Sequence, residues 1–436
     1  MDWKEKYKQK CISMEEAVSK VKSGDVIASS IATGVPYVFL NALADYALEH
    51  LENVTLYMGG GFKPFKTGLP QYNGHVDIKS YFYGPLERGV IAKGSNLTYQ
   101  PIHLSDTTTD RFTRHKPRVL AVAGTAPDEN GLISLGPSPI DDAMLDTCEE
   151  IIVQVNKNMP YVYGTGCMFP ADRVTWLVEA TEDIPVLPAA VPSEAESKIA
   201  SYIVDLVPDG ACIQLGIGGV ASAIGTFLKD KKDLGIHTEM FVDALADLMK
   251  CGAANNSRKN FCPGKAEIGF ALGTPEMYAF MDKNPDIEAR PFSWVNDPRN
   301  IAQNDNMISI NGAMQVDLTG QVCAESIGIR QFSGTGGQAD FVRGVRWSKG
   351  GKGFLALPST LTDKQGNLVS KISLALPLGS AVTTPRSDVH YIVTEYGLAD
   401  LKNEPLDVRA KKLIAIAHPD FRDQLTFEAK KAGLII

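Results

Sequence analysis

Residues 196–228 read ESKIASYIVDLVPDGACIQLGIGGVASAIGTFL, an apolar stretch at helical spacing, a Pro-Asp-Gly turn, a short apolar run ending at Leu215, a glycine cluster and a second helical stretch. Helix, turn, strand, glycines and helix in that order form the unit from which parallel α/β sheets are assembled. Residues 15–40, EEAVSKVKSGDVIASSIATGVPYVFL, repeat the order with Ser-Gly-Asp as the turn. One unit occurring twice, far apart, implies two similarly built halves. The join is expected between Pro185 and Ser193, where Pro185, Pro188 and Pro192 interrupt the pattern and Ser193-x-x-Glu196 suits a capping box. The domains would then run 1–190 and 191–436, with an active site where the two halves meet.

Working outward, Met14–Val21 and Tyr37–His50 read as helices, and Val26–Ile31 and Val54–Met58 as strands. Further strand candidates are Val119–Val122, Ile151–Val155, Ile213–Leu215, Ile268–Leu272, Ile308–Ile310, Phe354–Leu357 and Tyr391–Thr394. Short β-branched runs alternating with helices point to two open α/β domains with largely parallel sheets.

At 436 residues the chain is long for one hydrophobic core. Its composition, 44% apolar and 22% charged, is that of an ordinary globular protein rather than a disordered one. The net charge of -8 is spread without a basic stripe, which argues against nucleic acid and membrane surfaces as partners. No apolar run has the length of a signal core or a membrane span, so a cytoplasmic protein is expected. Seven cysteines at wide spacing without a Cys-x-x-Cys pair disfavour a disulfide framework, and scattered histidines give little support to a protein-held metal.

Three segments carry candidate chemistry. Gly216-Ile217-Gly218-Gly219-Val-Ala221 follows a strand and opens a helix, as in a dinucleotide fingerprint, and Glu239 lies where the ribose-binding acid would be sought. A nicotinamide-dependent oxidoreductase is therefore a rival reading, weakened by the lysine-rich turn at 229–235. Gly334-Thr-Gly336-Gly337-Gln338 can converge backbone N–H groups on an anion but lacks the Gly-Lys-Ser/Thr of an ATP loop. Glu239, taken alone, reads as a first-turn carboxylate of a helix capped by Thr238, with His237 nearby as a possible substrate contact.

Taken together and in order, Gln214-Leu-Gly-Ile-Gly218, Leu234-Gly-Ile-His-Thr-Glu239-Met, Ile310-Asn311-Gly-Ala-Met-Gln-Val-Asp317, Gln331-Phe-Ser-Gly-Thr-Gly-Gly337-Gln-Ala-Asp-Phe341-Val-Arg-Gly and Val393-Thr-Glu-Tyr-Gly-Leu-Ala399 resemble the family I CoA-transferases of the acetyl-CoA hydrolase/transferase group. The resemblance spans almost the whole chain and is strongest toward the 4-hydroxybutyrate and butyryl-CoA:acetate enzymes. It implies two domains of ribose-phosphate-isomerase-like type, CoA as co-substrate, and no metal, nicotinamide or flavin. It makes Glu239 the nucleophile, Gly336 and Gly337 an oxyanion and CoA-contacting loop together with Gly334 and Gln338, and Asn311 a donor near the reacting carbonyl. Gly216, Ile217, Gly218 and Gly219 would lie beside the CoA chain, while Arg88, Gln100 and His237 would touch the acid.

One departure is Asp243-Ala244, where related sequences usually carry Asp-Gly, and it leaves the preferred acid open. The implied reaction is ping-pong exchange of CoA between short carboxylic acids through a glutamyl anhydride and a glutamyl-CoA thioester. The alternatives are an acyl-CoA hydrolase of the same fold, the oxidoreductase, and a CoA-binding module without turnover. A homo-oligomer, dimeric or larger, goes with the resemblance.

Overall fold

The structure, a computed structural model, describes residues 3–107 and 114–436. The chain divides into two units, Met1–Leu187 with Glu267–Val295, and Pro188–Ala266 with Asn296–Ile436. The first break falls between Leu187 and Pro188, and Glu267–Val295 returns to the first unit although it follows that break in the chain. Its attachments there are backbone hydrogen bonds from Ala271 to Pro137 O and from Ala289 to Tyr163 O, and the Tyr278 hydroxyl donates to Pro185 O.

In the first unit, α1 (Met14–Val18) is followed by β1 (Val26–Ala28), α2 (Tyr37–His50), β2 (Val54–Met58), β3 (Val76–Ser80), α3 (Pro85–Ile91), β4 (Thr98–Tyr99), β5 (Val119–Gly124), β6 (Glu150–Val155) and β7 (Trp176–Glu179). The seven strands lie in the order β4-β3-β2-β1-β5-β6-β7 and every pairing is parallel. All six residues of β5 are buried, as a strand covered on both faces requires. Phe39, Leu40, Leu43 and Ala47 of α2 close one face against Ile27, Leu56 and Ile78.

The second unit starts with α4 (Glu194–Val204), which has the expected capping box: Ser193 Oγ accepts from the Glu196 N–H, and the Glu196 carboxylate accepts from the Ser193 N–H. There follow β8 (Cys212–Leu215), α5 (Gly219–Phe227), β9 (Gly235–Phe241), α6 (Asp243–Lys250), α7 (Pro298–Ile301), β10 (Met307–Gly312), α8 (Gln338–Trp347), β11 (Lys352–Ala356), β12 (Tyr391–Thr394) and β13 (Gly397–Asp400). Six strands of this unit lie in the order β9-β8-β10-β11-β12-β13, parallel except for the final hairpin. The helix-strand-helix repeat read from residues 15–40 and 196–228 is thus the start of each sheet.

Glu239 corrects one expectation, for it lies inside β9 and not in a helix. Six of the seven residues of this strand are buried, and the Thr238 hydroxyl donates to Met240 O instead of capping a helix. The next helix begins four residues later, at Asp243.

α8, which carries the glycine-rich loop at its N-terminus, is seated by a close approach at Gly344. A methyl group there would meet Ile301 Cβ and Cγ2 at 2.5 Å, and Ile301 is fully buried. Neither atom is the free end of a flexible chain, so α7 and α8 would have to separate. Alanine gains about 1 kcal/mol in helix propensity over glycine, against an overpacking cost of roughly 1–3 kcal/mol. Gly344→Ala should therefore lower stability on balance, and urea denaturation of the two proteins checks the sign.

Candidate active site

Glu239, Gly216 and Asn311 come from three neighbouring strands, and register fixes their relation. Ile213 pairs with Ile236 and Leu215 with Ile310. Extending those parallel pairings puts Glu239, Gly216 and Asn311 at one level, at the carboxyl ends of β9, β8 and β10. The chain runs from β8 outward to β9 and later returns to lay β10 on the other side of β8. Such a reversal leaves a crevice at the carboxyl ends of the strands, where open α/β sheets bind ligands.

That crevice holds a cavity of about 180 Å³ lined by Gly216–Ala221, Ile310–Ala313, Ala356, Pro358 and Glu196. Ile217 stands exposed at its rim. The Asn311 amide donates to Gln214 Oε1 at 3.2 Å and Ser309 Oγ at 3.1 Å, and Gln214 Nε2 donates back to Asn311 Oδ1 at 3.3 Å. Asn311 therefore sits in the cavity wall with its carboxamide already oriented.

Around Glu239 the packing is tighter. A methyl group added to Gly337 would overlap both the Glu239 carboxylate and the Asn296 amide, so only glycine lets the loop approach this closely. The Gly337 N–H donates to the carboxylate. Asn296 Nδ2 donates to Glu239 Oε2 at 2.9 Å and lies 3.5 Å from Asp340 Oδ2. Burial raises the Glu239 pKa, the Asn296 hydrogen bond lowers it, the charge of Asp340 raises it and the Gly337 N–H lowers it, leaving it at about 7.

Asn296 and Asp340 were not among the residues singled out from the sequence. Asn296-Asp297-Pro298 reads as a plain helix start, with Asp297 capping α7, and no spacing ties it to residue 239. Gln338 opens α8 directly after the loop of Gly334, Gly336 and Gly337, and its Nε2 donates to Thr384 Oγ1 at 2.9 Å. His237 is fully buried on β9, its ring edge-on to Phe341 with centroids 6.1 Å apart.

Arg88 and Gln100 belong to the first unit. Arg88 Nη1 donates to Tyr83 O at 3.2 Å, while the Gln100 N–H donates to Ser80 O and its buried Oε1 has no hydrogen-bond partner among the described residues. Among the described residues no group of three His, Cys, Asp or Glu side chains is placed to hold a metal ion. No described helix is long and apolar enough to cross a membrane.

Two family models match the chain, the acetyl-CoA hydrolase/transferase N-terminal domain over residues 1–188 and its C-terminal domain over residues 273–429. The chain belongs to the acetyl-CoA hydrolase/transferase family. This family member is 39% identical to the 4-hydroxybutyrate coenzyme A transferase of Clostridium kluyveri, over 99% of this chain and 100% of the relative. It is 40% identical to the butyryl-CoA:acetate CoA-transferase of Anaerostipes caccae, over 100% of this chain and 99% of the relative. The crystal structure of RipA from Yersinia pestis superimposes with a TM-score of 0.91 at 35% identity, covering both chains in full.

The elevated pKa of Glu239 has a consequence for stability in this family member. In the unfolded chain the group ionises near its ordinary 4.5, and in the fold near 7. The unfolded state therefore releases its proton first as pH rises, and stability is lost from about pH 4.5 until ionisation is complete in both states above about pH 7. Glu239→Gln has no such loss. Its melting temperature relative to wild type should climb between pH 5 and 7 and then level off, as scanning calorimetry across that range would show.

Proposed function

We propose that this protein is a CoA-transferase exchanging CoA between a short-chain acyl-CoA and a free carboxylate, with butyryl-CoA or 4-hydroxybutyryl-CoA and acetate as the pair. The observation that carries the proposal is the Glu239 carboxylate held against the backbone of a glycine loop, beside a crevice lined by a second glycine loop. The activities for which the two relatives above are named supply the acids.

A Glu239 oxygen attacks the thioester carbonyl carbon, the C–S bond breaks, and CoA leaves as its thiolate from a mixed anhydride. The thiolate then attacks the Glu239 carbonyl carbon, expelling the first acid as a carboxylate and leaving a glutamyl-CoA thioester. An incoming carboxylate reverses both steps. Thioester energy is conserved and no proton is consumed, which suits a site without a dedicated acid or base.

Backbone donors fit the charge that each addition places on oxygen. One well-aimed donor contributes about 3 kcal/mol to such a step. The Gly337 N–H is the proposed donor when Glu239 is itself the electrophile, and Asn311, with Gly216–Gly219, lines the path of the CoA chain. The pKa of about 7 fits the task, because the carboxylate must be ionised to attack yet is poorly solvated.

Exchange should therefore rise with pH through about 7 and flatten above it. Replacing Asn296 by alanine removes a hydrogen bond that holds the pKa down, so the midpoint of the rise should move to higher pH as kcat falls. Rate profiles of the two proteins between pH 5.5 and 9 would test both effects.

Borohydride or hydroxylamine added during turnover should modify the peptide containing residue 239, and Glu239→Gln should abolish exchange. Exchange that persists with this peptide unmodified would sink the proposal. Thiol release from acyl-CoA that does not depend on added acid would assign the protein to hydrolysis instead.

A further inference from the structure

The Asn296 carboxamide faces two carboxylates at once, the half-buried Glu239 and the buried Asp340. Its Nδ2 carries two hydrogens, with Glu239 Oε2 at 2.9 Å and Asp340 Oδ2 at 3.5 Å as their acceptors, while its Oδ1 is buried without a hydrogen-bond partner. Asn296 is completely buried and Asp340 is 2% exposed. A side-chain amide can be turned end for end at little intrinsic cost, so its hydrogen bonds decide which end points where. Here nothing anchors the oxygen end. The NH2 end is held toward Glu239 by the two acceptors alone, and turning the amide over would bring its oxygen against two carboxylates.

We propose that Asp340 is a positioning residue for CoA transfer, acting on Glu239 through the Asn296 carboxamide. The proposal rests on the reading of Glu239 as nucleophile and adds a group that does not touch the reacting atoms. Asp340 stands in the first turn of α8, three residues after Gly337, so one rigid element presents both the backbone donor and the acid that orients the side-chain donor. A helix N-terminus is also where a buried carboxylate is best tolerated.

The negative charge has a second effect. It opposes the charge on Glu239, and that repulsion disappears when Glu239 is acylated and becomes neutral. Asp340 thereby favours the anhydride relative to the free carboxylate. Asparagine at 340 would remove the repulsion and could donate to Asn296 Oδ1, which would stabilise the reversed amide and withdraw the hydrogen bond from Glu239.

The test is a double-mutant cycle on exchange activity with Asp340→Asn, Asn296→Ala and the combined variant, together with chemical trapping of wild-type Glu239. Asp340→Asn is expected to lower kcat about tenfold or more while the KM for acyl-CoA changes by less than about twofold. In the Asn296→Ala background Asp340→Asn should cost only a small part of that loss, because the direct repulsion between the two carboxylates is all that then remains to be removed. A residue serving only to pack α8 would instead multiply its loss onto that of Asn296→Ala.

If Asp340→Asn does not fold by circular dichroism, the cycle is run with Asp340→Glu, which keeps the charge and displaces it. A loss that shrinks severalfold in the Asn296→Ala background supports the proposal, and a loss that is absent in the wild-type background or multiplies in full onto that of Asn296→Ala overturns it. Trapping separates the two levels of the argument. Unmodified Glu239 in active wild type removes the nucleophile and this role together, whereas modified Glu239 with full kcat in the position-340 variant removes only the role of Asp340.

Discussion

The site depends on a carboxylate pressed against a backbone. Burying Glu239 penalises its ionised form, and the Gly337 N–H and the Asn296 amide offset part of that penalty. A third strong donor would drop the pKa toward its ordinary value and quench the oxygen. Losing one would keep the group protonated at neutral pH and unable to attack. The glycine follows from the same constraint, since any side chain at 337 would occupy the space the carboxylate needs.

The sheet is what brings these groups together. β9, β8 and β10 are parallel neighbours, so their carboxyl ends share one edge, and the reversal in strand order around β8 opens the crevice there. Gly216–Gly219 turn the chain from β8 into α5 at that edge, and the loop before α8 delivers Gly337 to Glu239. Ile301 packed at Gly344 then fixes α8, so the geometry at the carboxylate is inherited from a buried contact seven residues down the helix.

How much of this was legible in the sequence depended on whether the signal was local. The two sheets could be read because each helix-strand-helix start is written in consecutive residues, and Ser193 and Glu196 announced their own cap. Glu239 stands out in the sequence through its neighbours in the motif, yet its stretch reads as a helix start where the structure forms a strand. Thr-Glu before Asp243-Ala-Leu-Ala resembles a helix start, and only tertiary burial of Ile236, Met240 and Phe241 makes the stretch a strand. Asn296 was invisible for a different reason. It sits outside a helix whose cap is Asp297, and its importance lies in a contact across 57 positions of chain that no spacing rule encodes. The return of Glu267–Val295 to the first unit likewise rests on contacts between residues far apart in the chain, among them the hydrogen bonds from Ala271 to Pro137 O and from Ala289 to Tyr163 O.

The same geometry bears on specificity. Gly337 offers a main-chain N–H, and Asn296 meets the protein's own Glu239 and Asp340 carboxylates. Neither reads anything beyond the O–C–O unit that every carboxylic acid shares, so the chemistry can serve any acid that reaches it. That agrees with relatives of similar identity, covering nearly the whole chain, that carry the names of different acids. Discrimination must then come from side chains that contact the rest of the acid. Under the proposed mechanism, changes at those positions can redirect the substrate without disturbing Glu239, whereas Glu239, Gly337 and their support are constrained together because each fills space or satisfies charge left by another.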